Sequence, residues 1–124
     1  MSWIADNPDE FAGSVVDNGQ CVRYVQICAG VPHTSRWQPG APVRGNGIEP
    51  GTAIATFDRD GSYGNHTDGR SHAAIFIAEV ADGLLVWDQW TGHPVAQRVI
   101  RFRGGSGRRV NDGDQFQIIE GSEA

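Results

Sequence analysis

Residues 17–30, Asp-Asn-Gly-Gln-Cys-Val-Arg-Tyr-Val-Gln-Ile-Cys-Ala-Gly, constrain this chain more than any other stretch. They read as a helix over about 19–30 with a cysteine in its first turn. Asn18 suits the N-cap, where a side-chain oxygen can accept a backbone N–H that the helix leaves free. Gly30, followed by Pro32, suits the stop. Capped at Asn18, the helix holds Cys21 three positions in, beside unpaired N–H groups whose partial positive charge favours a thiolate. A lone cysteine is more often a small buried core residue. The polar, backbone-exposing approach Asn-Gly-Gln fits an attacking thiol better. Cys28 is the internal contrast. It lies one face-repeat further on and about 10 Å along the axis, beyond the roughly 4.4–6.8 Å between Cα atoms that a disulfide needs. It falls in the apolar part of the helix and reads as core, and the pair gives no disulfide framework.

Length and charge narrow the rest. The 124 residues suit one domain, 1–124. Net charge is −5, and all ten basic residues are arginine. The short Arg-Gly run at 101–109 reads as a solvated loop, so no nucleic-acid partner is expected. No apolar run is long enough for membrane insertion. The acidic start, Met-Ser-Trp-Ile-Ala-Asp-Asn-Pro-Asp-Glu, has no signal-peptide pattern, so synthesis in the cytoplasm is expected, with any outside action needing another export route.

Asn7-Pro8-Asp9-Glu10 carries a capping box and predicts a short helix over about 8–16. Residues 31–50 are rich in Pro, Gly and Arg and predict a long loop with at most one helical turn; Trp37 in its middle either anchors it or lines a groove. Strands are predicted at 51–57, 71–80, 84–90, 96–102 and 114–120, with a hairpin turn at Asp82-Gly83. The loop 58–71 is rich in Asp, Asn and His. It lacks the spacing and terminal Glu of a calcium loop, so it reads as solvated. Helices followed by a meander of strands make an α+β fold, N-terminal helices packed on an antiparallel sheet.

A thiol hydrolase needs a base for the thiol proton and a polar group that orients the base. His33 and His66 lie in predicted loops and His93 in a turn. His72 opens a predicted buried strand, where rigid backbone can hold it. Asp88 lies late on the returning strand and is carried back toward His72. A simple register around Asp82-Gly83 still leaves His72 beyond Asp88, so a bulge or diagonal contact is required. Gln89 or Gln20 could instead orient the base or donate to an oxyanion. A metal site on Cys21 and the histidines lacks the Cys-x-x-Cys or His-x-x-x-His spacing such sites use.

Four stretches together resemble the CHAP and NlpC type of cysteine amidase: Gly19-Gln20-Cys21-Val22-Arg23-Tyr24-Val25, Gly51 to Phe57, Ser71-His72-Ala-Ala-Ile-Phe-Ile, and Val86-Trp87-Asp88-Gln89-Trp90. The resemblance implies a papain-like core, with Cys21 as nucleophile at a helix N-terminus, His72 as base and Asp88 at the third position, where CHAP domains often carry Glu. Gln20, Gln89 and Trp37 are then candidates for the oxyanion and substrate contacts, and no cofactor or metal is implied. The implied substrate is the peptide part of peptidoglycan, cleaved through a thioester. A leaderless amidase of this size further resembles the effectors that type VI secretion systems inject into a neighbour's periplasm, which implies a cognate immunity protein. The alternatives are a non-catalytic peptide-binding module on the same fold and a phage or autolytic murein hydrolase.

Overall fold

The structure, a computed structural model, describes residues 1–121. Its single α-helix, α1, runs over Cys21–Ala29 and starts two residues later than the cap at Asn18 predicts. The reason is backbone conformation. Gly19 has φ 81° and Asp17 has φ 52°, and the turn they form is closed by Gly19 N–H donating to the Val16 carbonyl at 3.0 Å. A residue in left-handed conformation cannot start a right-handed helix. Gln20 is therefore the N-cap, without a side-chain cap bond. Asn18 Oδ1 instead accepts from Gln20 N–H at 3.0 Å and stiffens the approach. Cys21 becomes the first helical residue rather than the third. The stop is as expected: Gly30 takes φ 75° and its N–H bonds the Gln26 carbonyl.

The helix expected over 8–16 shrinks to one 3-10 turn, Pro8–Phe11. Asn7 makes no side-chain cap bond, and Gly13, at φ 81°, diverts the chain. Within 31–50 the loop contains a 3-10 turn, Thr34–Arg36, and a strand that its sequence disguises, β1 over Gln38–Pro42. Two prolines and a glycine fill most of β1, and such a segment can join a sheet only at its edge.

The remaining strands are β2 (Ala53–Thr56), β3 (Ala73–Val80), β4 (Gly83–Trp90), β5 (His93–Arg101) and β6 (Phe116–Glu120). They form one six-stranded sheet in the order β1-β6-β2-β3-β4-β5, with every neighbouring pair antiparallel. β5 begins at His93, so this histidine belongs to a strand rather than a turn. α1 lays Val22, Tyr24 and Val25 on a sheet face built of Ala53, Ala55, Ala73 and Ile75. The alanines on β2 and β3 let the helix come close. The other face carries Ile54, Phe76, Leu84, Val86, Ile100 and Phe116, covered by Val43. With both faces covered, the middle of the sheet is apolar without alternation, as Ala73 to Phe76, all buried, illustrate.

The β3–β4 hairpin contains the bulge that His72 and Asp88 need. Val80 pairs with Gly83 and Ala78 with Leu85, but Phe76 then pairs with Val86 and Ile75 with Trp87. Ile77 is the extra residue. One inserted residue exchanges the faces of everything beyond it. Continuing from Ile75–Trp87 sets Asp88 beside Ala74, on the same face as His72 and diagonal to it.

Candidate active site

Three elements converge at the start of β3. The first turn of α1 supplies Cys21, the residue before β3 is His72, and β4 supplies Asp88. Nε2 of His72 lies 2.7 Å from Oδ2 of Asp88. This contact occupies one ring nitrogen and leaves Nδ1 as the one that can serve the Cys21 thiol, which lines the same cleft as His72. The Asp88 side chain is fully buried and that of His72 is 6% exposed.

Electrostatics favour an ion pair. Burial alone would push the Cys21 thiol up. The hydrogen bond and charge of His72, helped by the Ala73 backbone and the Tyr63 hydroxyl, outweigh it and bring the thiol below its ordinary range. Burial alone would likewise lower His72. Hydrogen bonds and charge from Asp88 and Cys21 reverse this and raise it to about 9. One group lowered and its neighbour raised describes a thiolate beside an imidazolium.

Tyr63 was not apparent from the sequence, although it is the one large aromatic in the polar loop 58–71. Its hydroxyl is 3.8 Å from Cys21 Sγ. Burial and the neighbouring Cys21 raise its pKa far beyond any working pH, so it faces the sulfur as a protonated donor. The backbone N–H of Cys21, in the first helical turn, has no helical acceptor and is a second donor at the same place.

Arg98 is a further member. Its Nε donates to Asp88 Oδ2 at 2.7 Å, and its guanidinium lies 4.9 Å from the Trp90 ring centroid. Val86 pairs with Arg98 across β4 and β5, which makes Arg98 a diagonal neighbour of Asp88. An acid and a base so placed on adjacent strands are a legible signal.

The other expected site residues separate. Gln20 lines the cleft above Cys21. Gln89 does not reach it, being fully buried. Its Oε1 accepts from Val16 N–H, and its Nε2 donates to the Val16 and Gln20 carbonyls, each at 2.9 Å. With its donors so engaged, it clamps the segment leading into Cys21 rather than meeting substrate. β4 thus uses adjacent residues for two jobs: Asp88 holds the imidazole on one face, and Gln89 holds the cysteine loop on the other. Trp37, 3% exposed, also lies off the cleft surface. Its indole N–H bonds the Pro32 carbonyl at 2.9 Å, and its ring packs at 4.8 Å against Tyr63. It anchors the loop and backs the tyrosine. Cys28 packs against the core, with its thiol raised by burial.

The cleft measures about 460 Å³, and its walls include His66, Ser71, Trp90, Arg98 and Arg108 besides Gln20, Cys21 and His72. His33 caps the Thr34–Arg36 turn, and His93 stacks on Trp90 at 3.9 Å.

A helix-borne thiol paired with a buried His–Asp couple on an antiparallel sheet defines a papain-like cysteine hydrolase site. The comparisons carry the same class to a family. Residues 2–119 match the model of domesticated amidase effector 2, Dae2, and the chain belongs to this family of amidase effectors. It is 40% identical over 116 residues to a type VI secretion amidase effector 2 protein of Salmonella typhi, covering 89% of this chain and 84% of that one. It is 38% identical over 122 residues to domesticated amidase effector 2 of Ixodes scapularis, covering 92% and 82%. The solved structure of type 6 secretion amidase effector 2 (Tae2) superposes with a TM-score of 0.80 at 34% identity, covering 97% of this chain and 95% of that one.

Proposed function

We propose that this amidase hydrolyses an amide bond in the peptide part of bacterial peptidoglycan, with Cys21 as nucleophile, His72 as general base and acid, and Asp88 as the group that orients His72. The observation that carries this reading is the Cys21–His72–Asp88 alignment, with the thiol lowered and the imidazole raised. The Cys21 thiolate attacks the amide carbonyl carbon. The oxygen, as it becomes anionic, accepts from the Cys21 N–H, with the Tyr63 hydroxyl close by. His72 delivers the Nδ1 proton to the nitrogen, the C–N bond breaks, and the amine leaves a thioester on Cys21. Water then attacks the thioester while His72 takes up its proton, which releases the acid and regenerates the ion pair.

The relatives' names support the setting. The Salmonella typhi protein is a type VI secretion effector, so this chain acts, on our reading, outside the producing cell, in the periplasm of a bacterium that receives it. A producer exposed to its own enzyme then needs an immunity protein that closes the cleft. Digestion of purified peptidoglycan, with the fragments identified by mass spectrometry, tests the proposal. New amine and carboxyl ends should appear with the wild type and not with Cys21→Ala. Intact peptidoglycan after wild-type digestion would overturn it.

A further inference from the structure

The cleft above Cys21 carries cations and no carboxylate. The chain has fifteen acidic residues against ten basic ones, yet no Asp or Glu lines this cleft, while Arg98 and Arg108 do. Six of the ten arginines are ion-paired locally: Arg23 with Asp17, Arg44 with Asp114, Arg70 with Asp68, Arg98 with Asp88, Arg101 with Asp82 and Arg109 with Asp58. Arg108 lines the cleft with no ion-pair partner among the described residues.

Arg108 is also seated. Its stem crosses Gly69, where an added Cβ would lie 2.7 Å from Arg108 Cδ, and Gly69 has φ +94°. The Val110 N–H donates to the Gly69 carbonyl at 3.1 Å, tying the two segments together. A side chain longer than glycine's hydrogen would unseat the arginine. Arg98 is fixed differently. Its Nε is engaged by Asp88 and its guanidinium plane lies by Trp90, so its terminal Nη groups remain for a ligand. One guanidinium held by Asp88 and Trp90, and a second, solvent-exposed one whose stem rests on Gly69, in a cleft lined by no carboxylate suit a planar anion that accepts two hydrogen bonds.

We propose that Arg108, together with the Nη groups of Arg98, forms a carboxylate-binding subsite, and that the amide cut by this enzyme lies beside a free carboxylate of the substrate. The inference rests on the cysteine-amidase reading for the identity of the cut bond, and peptide stems of peptidoglycan do carry free carboxylates next to their amide bonds. The subsite would choose among otherwise equivalent amides by the charge beside them.

The test uses synthetic cross-linked stem peptides in three forms: free acid, carboxamide on the acyl side of the cut amide, and carboxamide on the amine side. Affinity is measured with Cys21→Ala, and kcat/KM with the wild type. One of the two carboxamides should bind about tenfold or more weakly than the free acid, as expected for the loss of a charge-assisted pair, and this form identifies the side recognised. In the wild-type background the loss should fall on KM. Arg108→Gln should weaken the free acid by a similar factor and leave that carboxamide unchanged. Equal affinity for all three forms, or an equal loss on acid and carboxamide in Arg108→Gln, would overturn the subsite. A binding preference that persists while the wild type cleaves none of the three would support the subsite and refute the amidase reading, so the two fail separately.

Discussion

Two chains of His, Asp and Arg meet this cleft, alike in composition, although His72 and Arg98 share one oxygen of Asp88 while His66 and Arg109 take the two oxygens of Asp58. In one, His72 Nε2 is 2.7 Å from Asp88, and Asp88 is 2.7 Å from Arg98. In the other, His66 Nε2 is 2.8 Å from Asp58, and Asp58 is 2.9 Å from Arg109. Burial separates them. The His72 and Asp88 side chains are 6% and 0% exposed, those of His66 and Asp58 25% and 24%. In the buried chain, charge acts through a poorly screening medium, and the Cys21 thiol completes it. His72 is raised to about 9 as a result. In the rim chain, hydrogen bonds from His66 and Arg109 hold the Asp58 carboxyl below its usual range, and no thiol is at hand. The same three side chains give a raised imidazole in one place and a stretch of cleft wall in the other.

The sharpest way to break this comparison is to remove each histidine. His72→Ala should lower kcat/KM by about a thousandfold or more, as should Cys21→Ala, and the double variant should be no worse than either single one, because residues acting as one unit are not additive. His66→Ala should stay within about tenfold of the wild type, on the scale of a single binding contact. Steady-state kinetics on a stem peptide, with circular dichroism to confirm folding, decides it. A His66→Ala enzyme as dead as His72→Ala would reverse the roles assigned to the two chains.

A finer separation comes from the two carboxylates. Asp88→Asn keeps a polar side chain beside His72 and removes its charge. The imidazole, raised to about 9 partly by Asp88, should then titrate lower. The protonated form that serves the leaving amine is lost earlier as pH rises, so the alkaline limb of the kcat/KM profile should move downward. Stability follows the same sign. A histidine raised above its ordinary 6.5 contributes stability that is full below that value and fades as pH rises through about 9. Asp88→Asn should lose part of this contribution, and kcat should drop on the order of a hundredfold or more, in line with removal of the orienting acid in related constellations. Asp58→Asn should leave the alkaline limb where it is. Movement of the limb in Asp58→Asn and not in Asp88→Asn would contradict the whole contrast.

How far this was legible in the sequence differs from residue to residue. Cys21 announces itself through the polar turn before an apolar helix, although the left-handed Gly19 moves the cap from Asn18 to Gln20. His72 is legible because a run of buried residues follows it. Asp88 is legible in type and only half legible in place, because the bulge at Ile77 is a tertiary accommodation that no turn signal announces. Gln89 and Trp37 illustrate the opposite limit. Polar and aromatic residues near a site look like contacts for substrate, and only three dimensions reveal that their hydrogen bonds are already made inside the protein. β1 hides because prolines argue against strands in general and only sheet order reveals an edge. The match between His66–Asp58–Arg109 and His72–Asp88–Arg98 is invisible in one dimension, since its members are separated by strands that the fold brings together.

The smallest effect is expected where the rim chain is disturbed without removing any of its members. Gly64 sits against the His66–Asp58 contact. A Cβ there would lie 2.2 Å from His66 Nε2 and 2.4 Å from Asp58 Oδ2, distances no side chain tolerates, so Gly64→Ala must push the two apart. The segment is at the surface and can yield, which limits the cost to about 1 kcal/mol, at the low end for overpacking. That corresponds to a fall in Tm of roughly 4 °C for a chain of this size. The displaced contact includes neither Asp88 nor His72, and Tyr63, the neighbour of Gly64 that faces Cys21 Sγ, is held in place by its packing on Trp37. The rate of Cys21 alkylation by iodoacetamide, which reports the thiolate, should therefore match the wild type, while KM shifts by a few-fold as the cleft wall moves. Thermal unfolding and alkylation kinetics on the same preparation measure both. If Gly64→Ala slowed alkylation as much as Asp88→Asn does, the rim chain would be coupled to the thiol, and burial would not be what divides the two chains.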